Sequence, residues 1–310
     1  MNGKNVSALN FHFFITDKLL VFTQNKVASR FVDSILQPFS LAYATQVSLD
    51  IDKFWLGDDP DTKIKDSLIS FYNNDITAKE MAAQRVIIDK ELKSIVDKKC
   101  KKDIIFLIRE PLDRLLTGCA QEFYGNFYER PSAGFDFKLK LILKNFVGGD
   151  DLYRKLNMDI INFAAANVSD RLTEDEIIII KKLFLEYLIS FAETEITHTG
   201  HTNRYIPYLY DIITSGVIDS NKVKVVDISN SKKILVKTLA NFHEVDQKED
   251  NFNSNSWLSQ TLYDPIDATE QPYEAHTRSK ILKLFESHLQ TEIYFYQKFL
   301  KSSFIVKNVM

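Results

Sequence analysis

A chain of 310 residues, 45% of them hydrophobic, is long enough to bury a sizeable core without disulfide staples. Its 39 Lys and Arg against 42 Asp and Glu leave a net charge of -3, so there is no overall basic field of the kind that holds nucleic acid, and any anion site must be local. Two cysteines, Cys100 and Cys119, exclude a disulfide framework and supply no Cys/His metal-binding pattern. The first residues lack the basic flank and apolar stretch of a secretory signal, and no run of about 18 apolar residues is present. The expectation is a cytoplasmic protein with no membrane and no nucleic-acid partner.

In chain order, Phe11 to Ile15 and Leu19 to Thr23 read as two short β-rich runs separated by a Thr16-Asp17-Lys18 turn. The polar stretch Gln24 to Arg30 follows, then Phe31, Val32, Ile35 and Leu36 at the spacing of one helix face, ending at Pro38. Val47, Leu49 and Ile51 alternate with polar residues as a strand does, residues 57–65 are a polar connection, and residues 77–98 read as helix. Ile104 to Ile108 is an unbroken apolar run, the mark of a strand buried on both faces. It ends at Arg109; Glu110-Pro111 is a turn, and Asp113 to Tyr124 a helix with Leu115, Leu116, Ala120 and Phe123 inward.

Thr173 to Glu176 is a capping box for an apolar helix running to about Ala192. The stretch from His198 to Pro207 reads as a polar loop. Lys222 to Ile228 is a late strand, followed by a helix near residues 231–242 and a final helix over about 274–301. Repeated strand, polar loop and helix predict an α/β fold: one domain over residues 1–310 with a mostly parallel central sheet flanked by helices. Residues 125–215 are expected to form a helical insert or lid, and residues 246–272 a long loop. Ligands of such sheets sit at the carboxyl ends of the strands, where both Lys26 and Arg109 fall.

A strand leading through small residues into a helix offers backbone N–H groups and a positive dipole end to an anion. Lys26-Val27-Ala28-Ser29-Arg30 has that layout, with a lysine charge, a hydroxyl donor and a guanidinium added. The loop lacks the glycines and the Lys-Ser/Thr ending of an ATP-type P-loop, which disfavours a nucleotide-dependent phosphotransferase. Thr117, eight residues after Arg109, faces back toward the same space if the following segment is helical.

Together these two stretches resemble a known family. Lys26 to Arg30 resembles the 5'-phosphosulfate loop of the sulfotransferases that use 3'-phosphoadenosine 5'-phosphosulfate (PAPS), in the Lys-Val-Ala/Gly-Cys/Ser-Thr form of the carbohydrate sulfotransferases. Ile108 to Tyr124 resembles their 3'-phosphate motif, with Arg109, Pro111, Arg114 and Thr117 at the matching places. Lys224 to Phe242, and the last helix with Tyr294, Phe295 and Tyr296, resemble the late elements of that fold. Glu110 stands where the family has Asp or Asn, Thr117 replaces Ser, and Arg30 replaces a loop hydroxyl residue.

The resemblance implies a P-loop-like sulfotransferase fold and transfer of a sulfuryl group from PAPS to a hydroxyl or amine of a small-molecule or glycan acceptor. The product is adenosine 3',5'-bisphosphate, and no metal takes part. It implies that Lys26, Val27, Ala28, Ser29, Arg30, Arg109 and Thr117 bind the nucleotide, with Lys26 also catalytic. His201, a few residues before Pro207, is the favoured general base, and His198 and Arg204 are favoured acceptor contacts. Glu80, Glu91 and Glu122 remain alternative bases. A non-catalytic glycan- or protein-binding module on the same fold is the competing reading.

Overall fold

Three residues between two apolar runs leave the chain room only to turn back on itself. Strand β1 (Leu9–Ile15) and strand β2 (Leu19–Gln24) accordingly pair antiparallel, Phe11 opposite Gln24 and Ile15 opposite Leu20. The turn is closed by Thr16 N–H to Leu19 O at 2.9 Å, while Thr16 Oγ1 accepts from the N–H groups of Leu19 and Lys18. This computed structural model describes residues 9–24, 27–49, 68–70, 78–128, 173–193, 205–216, 218–229, 232–245, 258, 260–263 and 272–306.

Strand β3 (Ala42–Leu49) adds antiparallel to the free side of β1, and β4 (Leu68–Ser70) adds antiparallel to β3. On the other side, β5 (Asp103–Ile108) runs parallel to β2, and β6 (Val223–Asp227) parallel to β5. The spatial order is β4-β3-β1-β2-β5-β6. The class is therefore α/β, but the sheet is mixed. The expectation of a mostly parallel sheet is corrected by the β1–β2 hairpin and by the antiparallel β1–β3 and β3–β4 pairs. A loop of three residues cannot make the crossover that parallel pairing needs.

The chain divides into two compact units. The first, residues 1–111, 198–248 and 290–310, contains the whole sheet. All six residues of β2 and the last five of β5 are buried, as strands covered on both faces must be. Phe22 sits at the centre of this core, stacked on Phe13 at 4.3 Å and on Phe106 at 4.9 Å between ring centroids. Helices α1 (Ser29–Leu36) and α2 (Ala78–Val96) pack on β1 and β3 respectively. The edge of β6 is closed by the chain end, where Val225 N–H donates to Phe304 O and Val306 N–H to Val225 O.

The second unit, residues 112–197 and 249–289, is helical in its described residues. It holds most of helix α3 (Pro111–Tyr128), helix α4 (Glu174–Glu193) and a short 3-10 turn at Gln260–Leu262. Its core joins Phe123 edge-on to Phe184 at 5.2 Å, with Tyr187 beside both. Helices α5 (Ile206–Thr214) and α6 (Lys233–Ala240) return to the first unit. The last helix, α7 (Pro272–Leu300), begins in the second unit and ends in the first. No helix among the described residues is long and apolar enough to cross a membrane.

One buried polar contact gives the first unit a pH dependence. His243 stacks on Phe39 at 4.5 Å, and its Nε2 lies 3.0 Å from Thr16 Oγ1. Because that oxygen already accepts two backbone N–H groups, its own proton points at the ring, and Nε2 is best left unprotonated. Burial lowers the His243 pKa from its ordinary 6.5; Asp17 opposes the shift and Lys18 adds to it. The unfolded chain then takes up this proton at higher pH than the folded one. The stabilisation is complete above about 6.5 and is lost as pH falls through that value toward the folded pKa. Urea midpoints at pH 7.5 and 5.5 should therefore differ more in the wild type than in His243→Gln; equal differences would remove His243 from this role.

Candidate active site

The parallel strands β2, β5 and β6 lie side by side and all end on one edge of the sheet. From β2 the chain passes over residues 25–28 into α1, and its next strand lies on the β1 side. From β5 it departs through Arg109 and Glu110 into α3, and its next strand among the described residues is β6, on the opposite side. The direction of connection thus reverses between β2 and β5. In α/β sheets, ligands usually sit outside the carboxyl ends of the strands at such a reversal.

Hydrogen bonds tie Val27 back to the end of β2. Val27 N–H donates to Gln24 O at 3.0 Å, and the Thr23 hydroxyl donates to Val27 O. The Val27 side chain is fully buried in the core. Ala28 takes the left-handed conformation, φ 57 and ψ 27, and caps α1 without a side-chain hydrogen bond. Val32 N–H to Ala28 O, at 2.9 Å, is the first bond of that helix. The N–H groups of Ser29, Arg30 and Phe31 precede it, in the first turn, where a helix has no acceptors of its own. A left-handed residue followed by these donors makes a concave backbone suited to a tetrahedral anion.

A non-glycine residue in the left-handed region costs roughly 1 kcal/mol, so the start of α1 stores strain at Ala28. Ala28→Gly is expected to keep stability or raise it by up to about 1 kcal/mol, and Ala28→Val to lower it by about 1–2 kcal/mol. Thermal melts of the three proteins measure this; a destabilised Ala28→Gly would count against the turn geometry.

On the β5 side, Arg109 follows the last strand residue directly and is half-buried. Its neighbours are tied down: Ile228 N–H donates to Ile108 O at 3.0 Å, and Glu110 N–H donates to Ser229 Oγ at 2.6 Å. Pro111 opens α3, where its missing N–H removes nothing and its fixed φ suits the first turn. Thr117 lies in the second turn of that helix and donates its hydroxyl proton to Asp113 O at 2.8 Å. Donating to a phosphate would require that hydroxyl to swing from its own helix.

The structure brings the Val27–Arg30 turn and the Arg109 turn to neighbouring strand ends in one unit. Lys26, His198, His201 and Arg204 lie outside the described residues, as do the side chain of Arg30 and most of residues 125–215 and 246–272. Tyr205, the residue after Arg204, is buried and donates its hydroxyl to Leu107 O at 2.9 Å, fixing the start of α5 against β5. Among the described residues, no group of three His, Cys, Asp or Glu could hold a metal.

Sequence reasoning missed Asp227, Ser229 and Tyr296, which gather beside Glu110 at the end of β6. A signal was present: an Asp closing an apolar strand, with Ser two residues on, is the pattern of a side-chain-capped turn. Tyr296 carries no local sign of joining it. No protein-family model, no curated protein and no solved structure matches the chain.

Proposed function

We propose that this protein is a PAPS-dependent sulfotransferase, with a P-loop-like core, acting on a hydroxyl or amine of a small-molecule or glycan acceptor. What carries the reading is the placement of its two motifs. Two sequence stretches that resemble the 5'-phosphosulfate loop and the 3'-phosphate motif follow adjacent parallel strands, β2 and β5, at the point where chain direction reverses. They lie far apart in sequence, and a chance pair of motifs has no reason to meet there.

The residues present fit an adenosine 3',5'-bisphosphate group in chemistry. The left-handed Ala28 and the first turn of α1 offer N–H donors to one anionic end, and Arg109 offers a guanidinium beside the neighbouring strand. PAPS, when bound, supplies a sulfuryl group whose bond to the phosphate oxygen breaks as a new bond to the acceptor oxygen or nitrogen forms. Lys26 is assigned to the negative charge that gathers on the departing phosphate oxygen, and the acceptor's proton goes to a base, for which His201 is the choice from sequence. Thr117 is assigned to the 3'-phosphate after rotation of its hydroxyl.

Calorimetric titration with adenosine 3',5'-bisphosphate, run beside ATP and AMP, tests the reading. Micromolar binding of the bisphosphate, in preference to both others, is expected. Absence of binding would overturn it in favour of a non-catalytic module, and preference for ATP in favour of a phosphotransferase. Arg109→Ala should weaken the bisphosphate by about 1.5–3 kcal/mol, roughly 10- to 150-fold. Equal affinity in wild type and variant would remove Arg109 from the site.

A further inference from the structure

Asp227, Ser229 and Tyr296 form a closed polar network at the carboxyl end of β6. Asp227 Oδ1 accepts from the Ser229 N–H at 3.0 Å and from the Ser229 hydroxyl at 2.5 Å. The other oxygen, Oδ2, accepts the Tyr296 hydroxyl at 2.8 Å, and the two hydroxyl oxygens lie 3.1 Å apart. With both hydroxyl protons directed at the carboxylate, Ser229 Oγ has lone pairs left to accept, and it takes the Glu110 N–H at 2.6 Å. The result is one chain of hydrogen bonds from α7 through β6 to the turn after β5.

That chain ends beside Arg109. Ile108 is held through its carbonyl by Ile228 N–H, and Glu110 through its N–H by Ser229, so the backbone is fastened on both sides of the arginine. A flexible side chain of this kind grips an anion well only if its Cα is fixed, since otherwise ordering the loop subtracts from binding. Tyr296 is well placed to anchor the network. Burial pushes its phenol far above the ordinary range, and Asp227 and Glu110 add to that shift while the Ser229 bond opposes it, so the proton it donates to Asp227 is kept.

We propose that Asp227, Ser229 and Tyr296 are positioning residues that hold the Arg109–Glu110 turn in its anion-binding conformation. They act through the turn and not by touching the ligand. What the turn holds rests on the sulfotransferase reading; the fastening itself does not.

The test uses the full chain and three variants, Ser229→Ala, Ser229→Thr and Tyr296→Phe, with two readouts. Tyr296→Phe keeps the buried ring and so guards against a variant that simply fails to fold. Amide hydrogen exchange at Glu110 should quicken by about tenfold in Ser229→Ala and less in Tyr296→Phe, with Ile105 and Phe106 unchanged. Affinity for adenosine 3',5'-bisphosphate should fall about 3- to 10-fold in Ser229→Ala with AMP affinity unaltered, and Ser229→Thr should restore both readouts. Unchanged Glu110 exchange in Ser229→Ala overturns the proposal, as does faster exchange with full bisphosphate affinity. Faster exchange in a protein whose wild type does not bind the bisphosphate supports the fastening and overturns the sulfotransferase reading instead.

Discussion

Phe22→Ala is expected to destabilise the protein by about 3–5 kcal/mol, the range for emptying a buried aromatic site. Phe22 is 2% exposed, and its ring meets Phe13 and Phe106 face to face and Phe11 edge-on. Each of those rings belongs to a strand beside β2: β1 through Phe11 and Phe13, β5 through Phe106. Strands cannot close around the gap without breaking the hydrogen bonds that join β2 to β5, so most of the cavity should persist. Phe22→Leu, which keeps most of the volume, should cost about 1–2 kcal/mol. Urea unfolding with unchanged slope would measure both, and a loss below about 1.5 kcal/mol in Phe22→Ala would show that the core collapses there after all. On the proposed function, a share of the bisphosphate affinity should go with it, because the same pairing sets the distance between the two turns.

On the proposed sulfotransferase reading, Lys26→Ala is expected to lower the rate of sulfuryl transfer by about 100- to 1000-fold, the scale seen when one donor to a developing negative charge is removed. The reasoning is differential. Negative charge on the phosphate oxygen is small in bound PAPS and large when the bond to sulfur breaks, so a lysine there binds the transition state more strongly than the ground state. Bisphosphate affinity should fall much less than turnover. Arg109→Ala should show the reverse balance, because a grip on the 3'-phosphate is the same before and during reaction. Single-turnover rates beside equilibrium titrations separate the two. A Lys26→Ala protein that loses affinity and rate equally would place Lys26 in binding alone.

The sequence by itself determined the local units, and it did so wherever one signal had one reading. The run Ile104 to Ile108 has no polar break and too few residues for a helix, and it is strand β5. Glu110-Pro111 reads as a turn before a helix from Asp113, and α3 is there but begins two residues earlier, with Pro111 itself in its first turn. At Pro207 the same reasoning goes wrong: the sequence reads as the end of a polar loop, but Pro207 stands in the first turn of α5. Proline suits both places, and only the burial of Ile206, Leu209, Ile212 and Ile213 distinguishes them. The candidate anion turns were legible because strand, small polar loop and helix are contiguous in the chain.

Tertiary structure alone decided what contiguity cannot reach. That β3 joins β1 antiparallel, making the sheet mixed, depends on which hydrophobic edge the chain finds after α1, and alternation in β3 fits either direction. That β5 lies beside β2 follows from burial of Phe22 against Phe106, a contact between segments with no shared local pattern. Tyr296 reaches Asp227 across 69 residues, where the last helix returns to the sheet. A side chain's hydrogen-bonding capacity is written in its own residue type, but its partner is chosen by the packing of surfaces that meet only once the chain has folded.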